Sequence, residues 1–211
     1  MLRSLLIAGL ASLAVVAVGV PFARLLARRR GLWAELLSTL VLLPMILPPT
    51  VLGYVLLLLI GRGSPVGQTW EALTGSPLVF TPAAAVLAAF VAALPFLVRA
   101  AQSAFEQIDP HFEDVARTLG RTELDIFLRV SIPLARRGIV GGAALAFARA
   151  MGEFGATAMI AGSIPGRTQT ASLAVYDAVQ AGRTADAGLI ALLLALLSAS
   201  ILFAVGRTGA R

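Results

Sequence analysis

Apolar residues run through this chain in long blocks instead of alternating or marking one narrow stripe. The blocks fall at 4–27, 36–60, 82–101, 138–162 and 187–205. Each is close to the roughly 20 residues a helix needs to cross about 30 Å of hydrocarbon. The alternation of a membrane barrel is missing, and a helix satisfies its backbone hydrogen bonds within itself. The expected fold is all-α: a polytopic membrane protein with five transmembrane helices in a single domain, 1–211. The first block follows a short basic start at Arg3, as a signal peptide would. It is long for a signal core, however, and its arginines (Arg24, Arg28, Arg29 and Arg30) come after it. It reads as a retained span.

Two blocks carry residues that a plain span does not need. Within 36–60, Pro44 and Pro48 lie one turn apart, Pro49 follows, and Gly53 comes a turn later. An interior proline removes a backbone bond, and in lipid such breaks survive where a neighbour or a wet route re-satisfies the backbone. A kinked helix is expected, either lining a translocation route or bent for structural reasons alone. Within 138–162, Gly138, Gly142, Ala146 and Ala150 form a small-residue stripe suited to close helix packing. The same block holds Arg149 and Glu153, four apart and so on one face. A lone charge at the bilayer centre costs about 2.5–3.5 kcal/mol on insertion scales, so neither should face lipid. They form a structural pair, or Arg149 lines an anion path; the pair is preferred, because an anion held strongly midway could not leave.

Between the third and fourth blocks the chain turns polar, over 102–137. Asp109 is placed to N-cap a helix with Pro110 in its first position. Phe112, Val115, Ala116 and Leu119 then share a face, and Glu113, Asp114 and Arg117 point away from it. Gly120 suits a left-handed stop, and Thr122-x-x-Asp125 reads as a capping box opening a second helix. Leu124, Phe127 and Leu128 give that helix an apolar side, and Pro133 is expected to close it. Elsewhere, 61–81 reads as a loop with a short surface or re-entrant segment. A short amphipathic helix is expected over 171–181, with Leu173, Val175, Tyr176 and Val179 to one side and Asp186 capping the last span.

Composition and charge narrow this picture. The 211 residues are 58% hydrophobic, and the mean hydropathy of +0.89 fits lipid as the solvent. The net charge of +6 invites a nucleic-acid reading. The basic residues, all arginine, instead cluster beside the spans: Arg24 to Arg30 after the first, and Arg117, Arg121, Arg129, Arg136 and Arg137 in the polar stretch. Only Arg3, Arg62, Arg167 and Arg183 fall in the alternate segments. That distribution puts the N-terminus outside and the polar stretch inside, with the C-terminus, bearing Arg207 and Arg211, also inside. With no cysteine and one histidine, thiolate and histidine metal sites drop out. No phosphate-binding loop occurs, so any nucleotide-driven work falls to a partner. No nucleophile, base or metal set gathers at one depth, which disfavours a membrane enzyme. The spans offer one acid, Glu153, which speaks against an ion-coupled carrier; such a carrier, or a stand-alone channel, stays as the alternative of another class.

The polar stretch also resembles the cytoplasmic signature of ABC importer permeases: Glu-Ala-Ala, three residues, Gly, nine residues, Ile-x-Leu-Pro. Here Asp114-Val115-Ala116, Gly120 and Val130-Ser131-Ile132-Pro133 keep that spacing with mild substitutions. Further matches point to the molybdate or tungstate importer permeases. They are Leu43 to Gly53 (Leu-Pro-x-x-x-Pro-Pro-Thr-Val-x-Gly), Gly152-Glu153-Phe154-Gly155-Ala156, and Ile164-Pro165-Gly166-x-Thr168-x-Thr170, with Ala174 and Tyr176 following. The Gly-Glu-Phe-Gly element is shared with sulfate permeases, so a sulfate or thiosulfate permease is the nearest alternative. Some relatives carry a further N-terminal span without a counterpart here, which bears on the lipid-facing periphery.

The resemblance implies a type I importer permease in a bacterial or archaeal inner membrane. It implies a homodimer with a path along its two-fold axis, a cytoplasmic ATPase dimer that holds ATP and Mg, and an outside oxyanion-binding protein. The permease itself would hold no cofactor or metal. Its ATPase-coupling residues would be Glu113, Asp114, Val115, Ala116, Arg117, Leu119 and Gly120. Pro44, Pro48, Pro49, Arg149 and Glu153 would belong to the pathway or to an intramembrane pair.

Overall fold

The computed structural model describes residues 1–29 and 31–209, with side chains as far as Ala204. Arg30, Arg211 and the Arg207 side chain, used in the charge reading, lie outside the described residues. Within them every regular element is a helix. Four helices are long and apolar enough to cross a membrane, and one bent pair makes a fifth span if counted as one.

The centre is α1 (Leu2–Arg28), α5 (Pro82–Glu106) and α8 (Ile132–Met151), packed along one another. Small residues make this possible. α5 buries Ala84, Ala85, Ala88, Ala89, Ala92, Ala93 and Ala101, and α1 answers with Ala8, Ala11, Val15, Gly19 and Ala23. On α8 the glycine–alanine stripe faces α5. A Cβ on Gly138 would collide with the Ala104 Cβ, and one on Gly142 would lie 2.8 Å from the Ala100 Cβ. In lipid this close packing, not hydrophobic exclusion, holds helices together.

The 36–60 block is not a kinked helix but two helices, α2 (Leu32–Ile46) and α3 (Pro49–Ile60), bent by 119°. Pro44 is carried inside α2; the break falls at Leu47 and Pro48, both extended (ψ 139° and 137°). Each precedes a proline, whose ring drives the preceding residue out of the helical region. The 138–162 block also divides: α8 stops at Met151, Gly152 to Phe154 are not helical, and α9 spans Gly155–Ile160.

The polar stretch departs from expectation at its far end. α6 (Pro110–Thr118) begins at the Asp109 cap, whose carboxylate accepts from His111 N at 2.9 Å. Gly120, at φ +75°, turns the chain, and Thr122 Oγ1 accepts from Asp125 N at 3.2 Å to open α7 (Glu123–Ile126). Pro133 does not close this second helix. A π-helical turn, Phe127–Ser131, carries α7 straight into α8, and Pro133 is the second residue of α8, inside the continuing helix.

The two loop helices sit at the end opposite α6. α4 (Pro65–Thr74) fills the first loop, and α10 (Ala171–Gln180) the second. α10 buries Leu173 and Ala178, while Tyr176 and Val179 are exposed, against the expected face. α11 (Thr184–Gly209) starts earlier than expected, with Asp186 inside its first turn. Leu189, Leu192 and Leu196 on α11 are exposed, and α2 buries no residue, so both present apolar faces outward.

Candidate coupling site and broken-span crossing

The nine residues of α6 and its C-cap residue Leu119 sort into two faces. Phe112, Val115 and Leu119 are exposed at 55%, 42% and 75%, and Leu124 and Leu128 beyond the glycine are exposed too. The opposite face buries only Glu113 and Ala116. Ala116 therefore does not belong to the exposed apolar face. Glu113 does not point away into solvent as the periodicity suggested, because positive charge from another helix meets it there. Its carboxylate pairs with Arg28, accepts from Ser131 Oγ at 2.7 Å, and lies 3.5 Å from Arg117 and 3.9 Å from Arg24. Arg24 also reaches Glu123 at 3.6 Å and lies over the Phe127 ring, 4.9 Å from its centroid. Arg117 bonds Glu123 at 2.6 Å and Asp114 at 2.7 Å. The hydrogen bond to Glu123 holds the Arg117 guanidinium above its ordinary pKa.

The second constellation joins the two broken spans. α3 and α9 cross so closely that a Cβ on Gly155 would lie 2.5 Å from the Pro49 Cβ. A Cβ on Gly53 would lie 2.7 Å from the Met159 Cβ. Beside this crossing Arg149 pairs with Glu153 at 2.7 Å, and Glu153 is 2% exposed. The other Glu153 oxygen accepts from Ala156 N at 2.8 Å, and its carbonyl accepts from Ser172 Oγ at 2.7 Å. One acid thus closes the end of α8, opens α9 and receives α10.

The Ile-Pro-Gly-x-Thr-x-Thr segment is a folded loop at the same end. Gly166 has φ +73°; Thr168 Oγ1, fully buried, donates to Gly162 O at 3.0 Å and accepts from Ile164 N at 3.1 Å. Thr170 caps α10, and Ser4 of α1 accepts from Ala171 N at 2.7 Å.

The sequence profile described as "Binding-protein-dependent transport system inner membrane component" matches residues 19–208. The chain belongs to that family. This permease is 40% identical over 199 residues to the molybdenum transport system permease protein ModB of Azotobacter vinelandii, covering 94% of this chain and 88% of that protein. It is 39% identical over 203 residues to the protein of that name in Escherichia coli K12, covering 95% and 89%. Among solved structures it superposes on a chain of the MetNI methionine ABC transporter in an inward facing conformation, with TM-score 0.72, 20% identity, and 98% and 91% of the two chains covered. It also superposes on a chain of a bacterial alginate ABC transporter, with TM-score 0.75, 14% identity, and 97% and 75% covered. At those identities the fold is what is shared, and it is that of type I ABC importer permeases.

Of the residues singled out in the permease sequence, Val115 and Leu119 lie on the exposed face of α6. Asp114, Arg117 and Gly120 flank it, and Glu113 and Ala116 lie beneath. Pro48, Pro49, Arg149 and Glu153 gather around the crossing, while Pro44 stays inside α2. The sequence pattern did not reveal Arg24, Arg28 and Ser131 as partners of Glu113, nor Glu123 as a partner of Arg24 and Arg117. Arg24 and Arg28 do lie one turn apart at the end of the first block, which marks a shared face. Nothing in the linear pattern says what that face meets.

Proposed function

We propose that this permease is the membrane-spanning subunit of an ABC importer carrying molybdate, or the like-shaped tungstate, inward. It works as a homodimer, with its N-terminus outside and its C-terminus in the cytoplasm. A cytoplasmic ATPase dimer holds ATP and Mg, and an outside binding protein delivers the oxyanion. The observation that carries this reading is α6. It is a short helix with an apolar face (Phe112, Val115 and Leu119) left open while its other side is anchored by ion pairs. Such a face suits docking into a groove on another protein. Identity near 40% along almost the whole chain to two molybdenum permeases supports the substrate class. The Arg149–Glu153 contact supports a structural pair rather than an open anion site, since the cation is already neutralised.

During the cycle, closure of the ATPase dimer moves α6, and the spans pass from inward-open to outward-open. The test is reconstitution with the ATPase and binding protein in vesicles, measuring molybdate uptake with sulfate as competitor. Leu119→Asp, an exposed change, should leave the folded yield unaltered while ATPase co-purification falls by about tenfold or more. Unchanged co-purification rejects the docking role of α6, and sulfate uptake equal to molybdate rejects the substrate assignment.

A further inference from the structure

α6 is poorly held by apolar burial: of its nine residues only Glu113 and Ala116 are buried. Its covalent links are the short Gln107–Asp109 connection from α5 and the Gly120 turn toward α7. The firm attachment is the Glu113 carboxylate, fully buried and aimed away from the docking face. The groups it meets come from three places. Arg28 and Arg24 belong to the end of α1, Arg117 to α6 itself, and Ser131 to the last position of the π turn that leads into α8. A π turn adds a residue to the helical ring and is frequent at functional positions; here it carries the Ser131 hydroxyl that reaches Glu113. Arg24 extends the network to Glu123 and Phe127 of the same segment. A buried ion pair adds little stability over an apolar replacement, but its geometry is specific and its breakage is costly.

We infer that Glu113 is a positioning residue of the transport cycle, fastening α6, the end of α1 and the start of α8 into one body so that movement of α6 reaches the first span directly. α1 is separated from α6 in the chain by α2 to α5, so no covalent route delivers that movement. Because α1 packs along both α5 and α8, a displaced α1 carries the centre of the permease with it. The inference rests on the reading of α6 as the ATPase docking helix.

The test is the molybdate imported per ATP hydrolysed, measured in vesicles holding the permease, its ATPase and its binding protein. This ratio does not move when a variant merely lowers the amount of assembled complex. Glu113→Gln should lower it about fivefold and Arg28→Met about threefold, with ATPase co-purification unchanged. The double variant should fall no further than Glu113→Gln, because both remove the same fastening. Glu113→Asp should recover the ratio to within about twofold of the native permease. An unchanged ratio in Glu113→Gln, or single effects that multiply in the double variant, overturns the inference. Should Glu113→Gln fail to fold, Ser131→Ala, which removes one hydrogen bond to the carboxylate, should lower the ratio about twofold; no change there overturns it equally. Leu119→Asp keeps the two readings apart. If it still binds the ATPase, the docking reading fails. If it loses the ATPase while Glu113→Gln keeps the native ratio, only the α1 fastening fails.

Discussion

Glu113 and Glu153 are both buried acids held by arginine, yet they do opposite kinds of work. Glu153 is served by its own neighbourhood: Arg149 four residues back, the Ala156 amide three residues on. It finishes one helix and begins the next. Glu113 also has a cation four residues away, Arg117, but draws its other partners from afar: Arg24 and Arg28 on α1, and Ser131 beyond the glycine turn. It joins elements that the chain keeps apart. A locally satisfied acid stabilises a break in a span, whereas a remotely satisfied one makes separate helices move together. The surroundings follow suit. Around Glu153 the contacts are close approaches of glycine and proline, and around Glu113 they are long, charged side chains at a membrane boundary.

Substitutions can break or sharpen this contrast. The largest loss is expected from Arg149→Ala, which leaves the Glu153 carboxylate buried without the cation it pairs with among the described residues, at about 3 kcal/mol. Thermal unfolding of the purified permease should show it; an unchanged melt with transport abolished would instead make Arg149 a pathway residue. Next comes Gly155→Ala, whose new methyl meets Pro49 at 2.5 Å and should destabilise by about 2 kcal/mol. Gly141→Ala is its control: nothing lies within 4 Å of that Cβ, and equal losses at both sites would show that the crossing is not tight. Arg28→Met should be milder, about 1 kcal/mol, since Arg28 is one-third exposed and Arg24, Arg117 and Ser131 remain with Glu113. A loss as large as that of Arg149→Ala would mean Glu113 has a single effective partner. The exposed Arg62–Glu71 pair bounds the scale: Arg62→Ala should change the melt by less than about 0.5 kcal/mol.

How far each region could be read in advance follows from the same contrast. Arg149 and Glu153 were legible as a pair from their four-residue spacing, although α8 ends between them and the contact closes across that end. The Asp109 cap, the Gly120 turn and the glycine stripe of α8 were legible for similar reasons, each being a local rule about backbone conformation or packing. The bend at Leu47–Pro48 was understated: a proline pattern signals lost hydrogen bonds, but the angle depends on what the two halves pack against. Pro133 was misread as a stop because a proline carried just after a π turn in a continuing helix looks the same in sequence as one that ends a helix. The face of α6 was misread at Glu113 and Ala116 because periodicity ranks residues by polarity, while burial depends on whether a partner charge arrives.

By itself the amino-acid order determined the lipid-soluble helical class, the approximate spans, the polar stretch with its glycine turn and the importer-permease signature. These follow from hydropathy, propensity and spacing, which act over a few neighbouring residues. Only the tertiary structure decided that two spans are broken and cross at Pro49 and Gly155, and that the end of α1 grips α6 through Glu113. Those outcomes depend on contacts between segments far apart in the chain, and a linear pattern carries no term for such distances.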